Sequence, residues 1–414
     1  MPFILGTFYL LIAIWWLRRH SFVLNTGLSK RAITILFLAK CLAALAYGYI
    51  GGPLYNYRFD TWQQYHESLL ETDLLLRDPL EFVISLFRFS EGQTFLSLST
   101  GMNFVNNFQF NFHNKVVAVF NLFSGSNYYI NTIFFSFLTF YGIICFIKLV
   151  KVYWPDASKL LLYAAFLLPG FIFWGSGMYK EGWIFTGICA CMYGADRLGS
   201  GARYGWLILA GFFLLLVTRM FTVLMFTPFL VYYIMWKKWR FTQRPLALFL
   251  ALLVAALLLA SWLGWYHFPA DIAGRRNEFL LLKGDSLLDT RVLDPTWQSI
   301  LAYMPGGLVN ALLRPFPWEV AGKLVYLPSA LEILLLEIVF LYWIVKKGWR
   351  FRVPVPFRLL FAFAALNFIV IGLTIPFLGA IVRYRSIYLP FVIVPLIFGA
   401  FEKKSNNIPA LHVK

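Results

Sequence analysis

Apolar stretches alternate with short charged connections along almost the whole chain. A helix that crosses a bilayer needs about 20 predominantly apolar residues, fewer where it kinks. Runs of this kind lie at 3–17, 33–51, 128–149, 159–176, 182–197, 204–218, 221–236, 245–266, 326–345, 357–378 and 386–401. The pattern predicts an all-α integral membrane protein with about 11 transmembrane helices, a single polytopic domain over residues 1–414. At Thr218-Arg219 the reading divides between a tight hairpin and an interruption in one irregular span.

Two longer polar excursions interrupt the series, at 52–127 and 267–325. The first carries amphipathic helical patterns, with Trp62, Leu69, Leu70, Leu74 and Leu75 around a polar face, and reads as partly interfacial. In the second, residues 298–313 are apolar but short, and Pro305-Gly306-Gly307 is expected to break them. A re-entrant or surface-lying helix fits that stretch better than a span. There is no clear internal repeat.

Composition agrees with lipid as the solvent. The chain is 60% hydrophobic, 20% aromatic and 13% charged, against about 25% charged in a soluble domain. The net charge of +17 raises nucleic acid as a partner, but the positions of the charges exclude it. Of the 36 basic residues, 21 fall in alternate connections and the C-terminal tail, from Arg18 and Arg19 to Lys414. Positive residues of short connections stay in the cytoplasm. This places the N-terminus outside and the C-terminus in the cytoplasm. Fourteen of the 19 acidic residues fall in the opposite segments 52–127, 177–181 and 267–325, an independent count that gives the same topology. Arg18 and Arg19 follow the first apolar run rather than precede it, so that run reads as a span rather than a cleavable signal. Cys41, Cys145, Cys189 and Cys191 all lie inside apolar runs and read as packed side chains.

Chemistry concentrates on the outer face. Asp60 lies shortly beyond the second span, beside Arg58, Gln63, Gln64, Tyr65, His66 and Glu67. Two readings stay open for it: the N-cap of a helix over 60–72, with Gln63 as capping-box partner, or a carboxylate that takes a proton from a hydroxyl or holds a divalent cation. Glu67, seven residues on, would share its helix face. The loop Ser176-Gly177-Met178-Tyr179-Lys180-Glu181-Gly182 sets a cation and an anion between two spans with almost no connection. Charges at that depth are costly unless paired or used. Lys180 suits a phosphate, with Tyr179 and Glu181 beside it; the alternative is an interfacial ion pair. Arg383-Tyr384-Arg385, between the last two spans, and Arg219 stand outside against the positive-inside trend. The planar fork of arginine fits a phosphate or diphosphate. Arg275, Arg276 and Arg314 in the second excursion form a less specific set. Lys40, inside the second span, is expected to snorkel or to pair with Glu332 or Glu337. The five histidines show no metal-ligand spacing, and no Walker loop, dinucleotide fingerprint or nucleophile elbow is present.

This arrangement resembles the GT-C superfamily of polytopic glycosyltransferases, with an acidic residue in the first large outer loop followed by many spans. The phrase FWGSGMYKEG at 173–182 is similar to a Ser-Gly-x-x-Lys-Asp/Glu phrase in bacterial relatives of that superfamily. The resemblance implies an inverting transferase that takes sugar from a polyprenyl-phosphate-linked donor to a glycan, lipid or protein acceptor. Asp60 would match the first-loop carboxylate, and Lys180 and Arg383 the phosphate-binding positions, with Arg385 and Arg219 near them. Two departures stand out: Asp60 is followed by Thr61 and Trp62 rather than a second acid, and an extra N-terminal span precedes the hallmark loop. The second is closer to the bacterial exopolysaccharide and O-antigen polymerases. A transporter or flippase of lipid-linked sugars is the reading from another class; it predicts charges deep within spans and inverted repeats.

Overall fold

The computed structural model describes residues 2–57, 59–87, 98–157, 162, 165–239, 259, 267–282, 286–320, 326–347 and 353–401. These residues are mostly helical, with no strand among them beyond one isolated bridge between Leu287 and Phe377. The chain divides into two compact units. The run expected at 245–266 falls almost wholly outside the described residues.

The first unit covers Met1–Val152 and Phe166–Leu252. Its helices are α1 (Pro2–Leu17), α2 (Lys30–Tyr49), α3 (Asp60–Arg77), α4 (Pro79–Ile84), α5 (Leu98–Ser124), α6 (Tyr128–Tyr153), α7 (Pro169–Ser176), α8 (Lys180–Arg197), α9 (Ala202–Thr218) and α10 (Met220–Trp239). Helix α2 starts where the Ser29 hydroxyl accepts from the Ala32 amide at 3.2 Å, one of the orphan donors of a helix start. At Arg219 the chain is extended (φ −158°, ψ 94°) for a single residue and the helix then resumes. The ambiguity at Thr218-Arg219 thus resolves as two helices with a one-residue break.

The first polar excursion folds as a helical hairpin, and its buried side mixes polar with apolar residues: of the expected apolar face Trp62 is buried and Leu69 packs against it, while Leu70 is exposed. Helix α3 buries Thr61, Trp62, Gln64, Tyr65, Ser68 and Thr72, while Leu70 and Leu76 are about 70% exposed. The packed side carries a hydrogen-bonded polar seam. Asn121 Nδ2 donates to Ser68 Oγ at 3.1 Å and to Thr72 Oγ1 at 2.9 Å, and Asn131 Nδ2 donates to Asn121 Oδ1 at 2.6 Å. Lys115 reaches Glu71 at 2.6 Å. A buried network of this kind holds only when its members find partners, and here Ser68 and Thr72 pack inward beside Trp62, Tyr65 and the half-buried Leu69, while Leu70 and Leu76 face out.

The second unit covers Tyr153–Ala165 and Leu253–Lys414. It contains α11 (Phe268–Leu280), α12 (Trp297–Leu312), α13 (Leu327–Lys347), α14 (Val355–Thr374), α15 (Leu378–Ser386) and α16 (Leu389–Phe401). Pro305-Gly306-Gly307 does not break α12, which runs through it. The glycine serves packing instead: a Cβ on Gly307 would meet the Gly372 carbonyl oxygen of α14 at 2.9 Å, and one on Gly372 would overlap the Gly307 carbonyl. Small residues permit such close backbone approach between helices. Gly372→Ala is therefore expected to cost about 1–3 kcal/mol through overpacking, read as a lowered Tm with the protein still folded at low temperature.

Among the described residues, five helices are long and apolar enough to cross a membrane: Lys30–Leu54, Tyr128–Tyr153, Met220–Lys238, Leu327–Val345 and Val355–Thr374. A sixth is formed if Leu378–Ser386 and Leu389–Phe398, bent by 58°, count as one. Pro2–Leu17 and Ala202–Thr218 are shorter apolar helices. The run at 159–176 and the run at 182–197 correspond to α7 and α8, which are separate helices on either side of a non-helical turn.

Candidate functional site

That turn, Gly177-Met178-Tyr179, is the focus of the first unit. Helix α7 ends at Ser176 and α8 begins at Lys180, so a helix C-terminus and a helix N-terminus flank three residues. The two ends carry opposite partial charge, and the chain supplies each with a partner of opposite sign. Lys40, from the middle of α2, is 4% exposed. Its Nζ donates to the Gly175 carbonyl at 2.8 Å and lies 3.4 Å from Ser176 Oγ. Lys40 therefore neither snorkels nor takes Glu332 or Glu337; the carbonyl end of α7 is its partner. At the other end Glu181, 1% exposed, stands in the first turn of α8, where a negative charge is favoured.

Helix α3 is tied to the same turn. The Thr61 hydroxyl donates to the Met178 carbonyl at 2.9 Å and meets the Tyr128 hydroxyl at 3.1 Å. Trp62 stacks on Tyr128 with ring centroids 4.0 Å apart, and its Nε1 donates to the Gly48 carbonyl at 3.0 Å. Asp60, next to Thr61, is exposed. It is the first residue of α3, whose N-cap is Phe59 without a side-chain cap bond. The capping-box reading is thus corrected: Asp60 lies inside the helix, and Gln63 Nε2 donates to Glu67 Oε1 at 3.3 Å instead of reaching back. Glu67 also accepts from Asn114 Nδ2 at 3.2 Å, which commits it to the seam between α3 and α5. His66 is exposed and lies in an aromatic group with Tyr57 and Trp62.

Lys180 is half-buried, with its ammonium 5.2 Å from the ring centre of Tyr179. One neighbour escaped the sequence reading. His113, on α5, is 6% exposed, and its ring lies edge-on to Tyr179 with centroids 6.2 Å apart. The ring is hydrogen-bonded to the Met178 backbone. Burial pushes the imidazole down to about 4, with the Met178 bond and Glu181 acting the other way and Lys180 adding to the fall. Its only advance signal was a histidine in an amphipathic stretch, and helix periodicity does not say which residue faces a distant loop.

Arg219 is the extended residue between α9 and α10, and its amide donates to the Leu215 carbonyl at 2.9 Å. The other arginines belong to the second unit. Arg383-Tyr384-Arg385 is not a connection but the last turn of α15. Arg385 is 1% exposed and donates through Nη1 to the carbonyls of Ala311 and Arg314, each at 2.7 Å, closing the end of α12. Glu332 and Glu337 attract its charge. Arg383 is half-buried with its guanidinium 5.6 Å from the Tyr384 ring centre. Arg276 is fully buried, donates to the Arg291 carbonyl at 2.8 Å and lies over Tyr303 at 4.2 Å. Arg314 pairs with Glu319 at 3.2 Å. Among the described residues, no group of three or more His, Cys, Asp or Glu is arranged to hold a metal ion.

Comparison with family models, with curated proteins and with solved structures gives no match for this chain.

Proposed function

We propose that the chain is an inner-membrane glycosyltransferase with about 11 spans, its two polar excursions outside, acting on a polyprenyl-phosphate-linked sugar donor. The observation that carries this reading is the hydrogen bond from Thr61 to Met178. It ties the start of the helix bearing Asp60 to the turn that leads into Lys180 and Glu181, two clusters 120 residues apart in the chain. An accessible carboxylate then neighbours a cation set at a helix N-terminus, the natural seat of a phosphate.

In this mechanism Asp60 accepts the proton of an acceptor hydroxyl as its oxygen attacks the anomeric carbon from the face opposite the lipid phosphate. The bond from the anomeric carbon to the phosphate oxygen breaks with its electron pair passing to that oxygen. Lys180 and the first amides of α8 stabilise the charge that develops there. Glu181, buried in the same turn, orients the site. The acceptor is a cell-envelope glycan, lipid or protein.

The test uses protein in lipid nanodiscs with a polyprenyl-phosphate sugar and an acceptor. Asp60→Asn is expected to lower turnover by roughly 10²–10⁴ with donor binding kept, the usual weight of a general base. Turnover unchanged in that variant would return Asp60 to a structural role. Chain growth from diphosphate-linked units would identify a polymerase instead. One observation favours a second reading, a lipid-linked sugar transporter. The helix broken at Gly177–Tyr179, with Lys40 at its carbonyl end, is the kind of discontinuity that transporters place at their sites. Movement of the labelled donor across a vesicle bilayer without phosphate release would select it.

A further inference from the structure

The second unit holds an open cleft of about 420 Å³ beside α12, within the size range of small-ligand sites. Asp289, Asn310 and Arg314 line it together with the apolar Leu288, Pro305 and Val309, and Gly306 completes the wall. A Cβ on Gly306 would meet no atom within 4 Å. The two glycines of α12 thus differ in use: Gly307 admits α14, and Gly306 leaves the cleft open. The same helix carries an apolar stripe. Trp297, Leu301, Pro305, Val309 and Leu313 stand four residues apart and are all exposed, and residues at that spacing share one helix face. Pro305 and Val309 belong both to the stripe and to the cleft. Beyond the end of α12, Trp318 is 72% exposed and stacks on Phe316. Tryptophan at either end of an exposed apolar stripe is the pattern of a helix lying in a membrane interface.

The polar groups of the cleft come in both signs. Asp289 offers acceptors only and Arg314 donors only. Each is partly engaged within the protein. Asp289 Oδ1 accepts from the Arg291 amide at 2.9 Å, Oδ2 lies 3.4 Å from Arg276 Nη2, and the Tyr303 hydroxyl also bonds to this carboxylate. Arg314 places Nε 3.2 Å from Glu319, one of its five N–H groups. Asn310 Nδ2 donates to the Tyr303 hydroxyl at 3.3 Å and has a second hydrogen to give. The Asp289 and Arg314 side chains stay 34% and 26% exposed, so both remain within reach of a ligand. Asp289, Arg276, Arg314 and Glu319 sum to zero charge. A lone phosphate or a simple cation therefore gains little here, whereas a zwitterion sets each of its charges against the opposite one.

We infer that this cleft seats the headgroup of a zwitterionic aminophospholipid, with its primary ammonium at Asp289, its phosphate at Arg314 and Asn310, and its acyl chains along the stripe of Leu301, Val309 and Leu313. The stripe selects a lipid over a water-soluble zwitterion, because the cleft opens onto apolar surface that a tail would cover. A primary ammonium gives the carboxylate a charge-assisted hydrogen bond, which a quaternary one cannot. The site lies within the second unit and draws on neither Asp60 nor Lys180, so it goes beyond the transferase reading and does not depend on it.

The test titrates the full chain in detergent with four lipids of identical short acyl chains and counts bound lipid by native mass spectrometry. The probes are phosphatidylethanolamine, phosphatidylcholine, phosphatidylglycerol and a glucosyl diacylglycerol. Wild type is expected to hold one phosphatidylethanolamine roughly five- to tenfold more tightly than each of the others, the weight of one charge-assisted hydrogen bond. In Gly306→Leu the side chain fills the cleft while a good helix former replaces glycine. That variant should lose the preference with its Tm at or above that of wild type. Asp289→Asn, which keeps an acceptor for the Arg291 amide, should bring phosphatidylethanolamine and phosphatidylcholine level. Equal affinity of wild type for all four lipids, or a preference that survives Gly306→Leu, would overturn the site. A preference for phosphatidylglycerol would replace it with an anion site, and one for the glucosyl lipid with a sugar site. Turnover of Asp60→Asn is read separately, so the transferase reading stands or falls on its own.

Discussion

Lys40→Met is expected to destabilise the first unit by about 1–3 kcal/mol, the cost of leaving a buried carbonyl without its donor. Methionine matches the length and apolar stem of lysine, so the change isolates the ammonium. What is lost is the donor to the Gly175 carbonyl at 2.8 Å and the positive charge at the C-terminus of α7. What remains is a carbonyl end in an apolar interior with nothing to replace water. The four cysteines are all buried and free, which provides the measurement: labelling by a thiol-reactive dye during heating reports opening of the fold. The variant is expected to label at a clearly lower temperature than wild type. An unchanged labelling curve would mean that the α7 end finds another donor and that Lys40 is dispensable to the break.

The second large effect concerns pH. His113 has a native value near 4 against an ordinary 6.5, chiefly through burial. Between those values the unfolded chain takes up a proton that the native chain refuses, so the native state loses stability as pH falls. The contribution is complete above about pH 6.5 and costs about 3 kcal/mol by pH 4, at 1.36 kcal/mol per pH unit. Lys180 adds to the resistance of the ring to protonation and Glu181 relieves part of it. Melting temperatures followed by intrinsic tryptophan fluorescence from about pH 7.5 to about pH 4.5 should therefore slope downward in wild type, with a flatter profile in His113→Phe. Parallel slopes would show that other groups govern the acid response.

The helices themselves were legible in the sequence because apolar length and the charges that end each run are local properties. The two clusters around Asp60 and Lys180 were legible for the same reason: charge in short turns between apolar runs is rare and visible. Their connection through Thr61 was not, since nothing in the chain relates residue 61 to residue 178 before packing does. Lys40 was recognised as a buried charge, but the partner is a backbone carbonyl, and carbonyls carry no sequence label. Pro305-Gly306-Gly307 misled because glycine has two uses. It breaks isolated helices through backbone freedom, and it admits a neighbouring helix where a side chain would collide; only α14 decides between them. Arg385 was read as a ligand clamp from its charge, whereas its geometry is that of a helix-end brace.

The mixed seam of the first excursion has a practical consequence. The α3 and α5 pair buries Ser68, Thr72 and Asn121 beside Trp62, Tyr65 and Val117, and α6 completes both halves: Asn131 donates to Asn121 and Tyr128 stacks on Trp62. A fragment that ends before α6 would leave the Asn121 carbonyl without its donor and Trp62 without its stacking partner, so the hairpin is best studied with α6 attached.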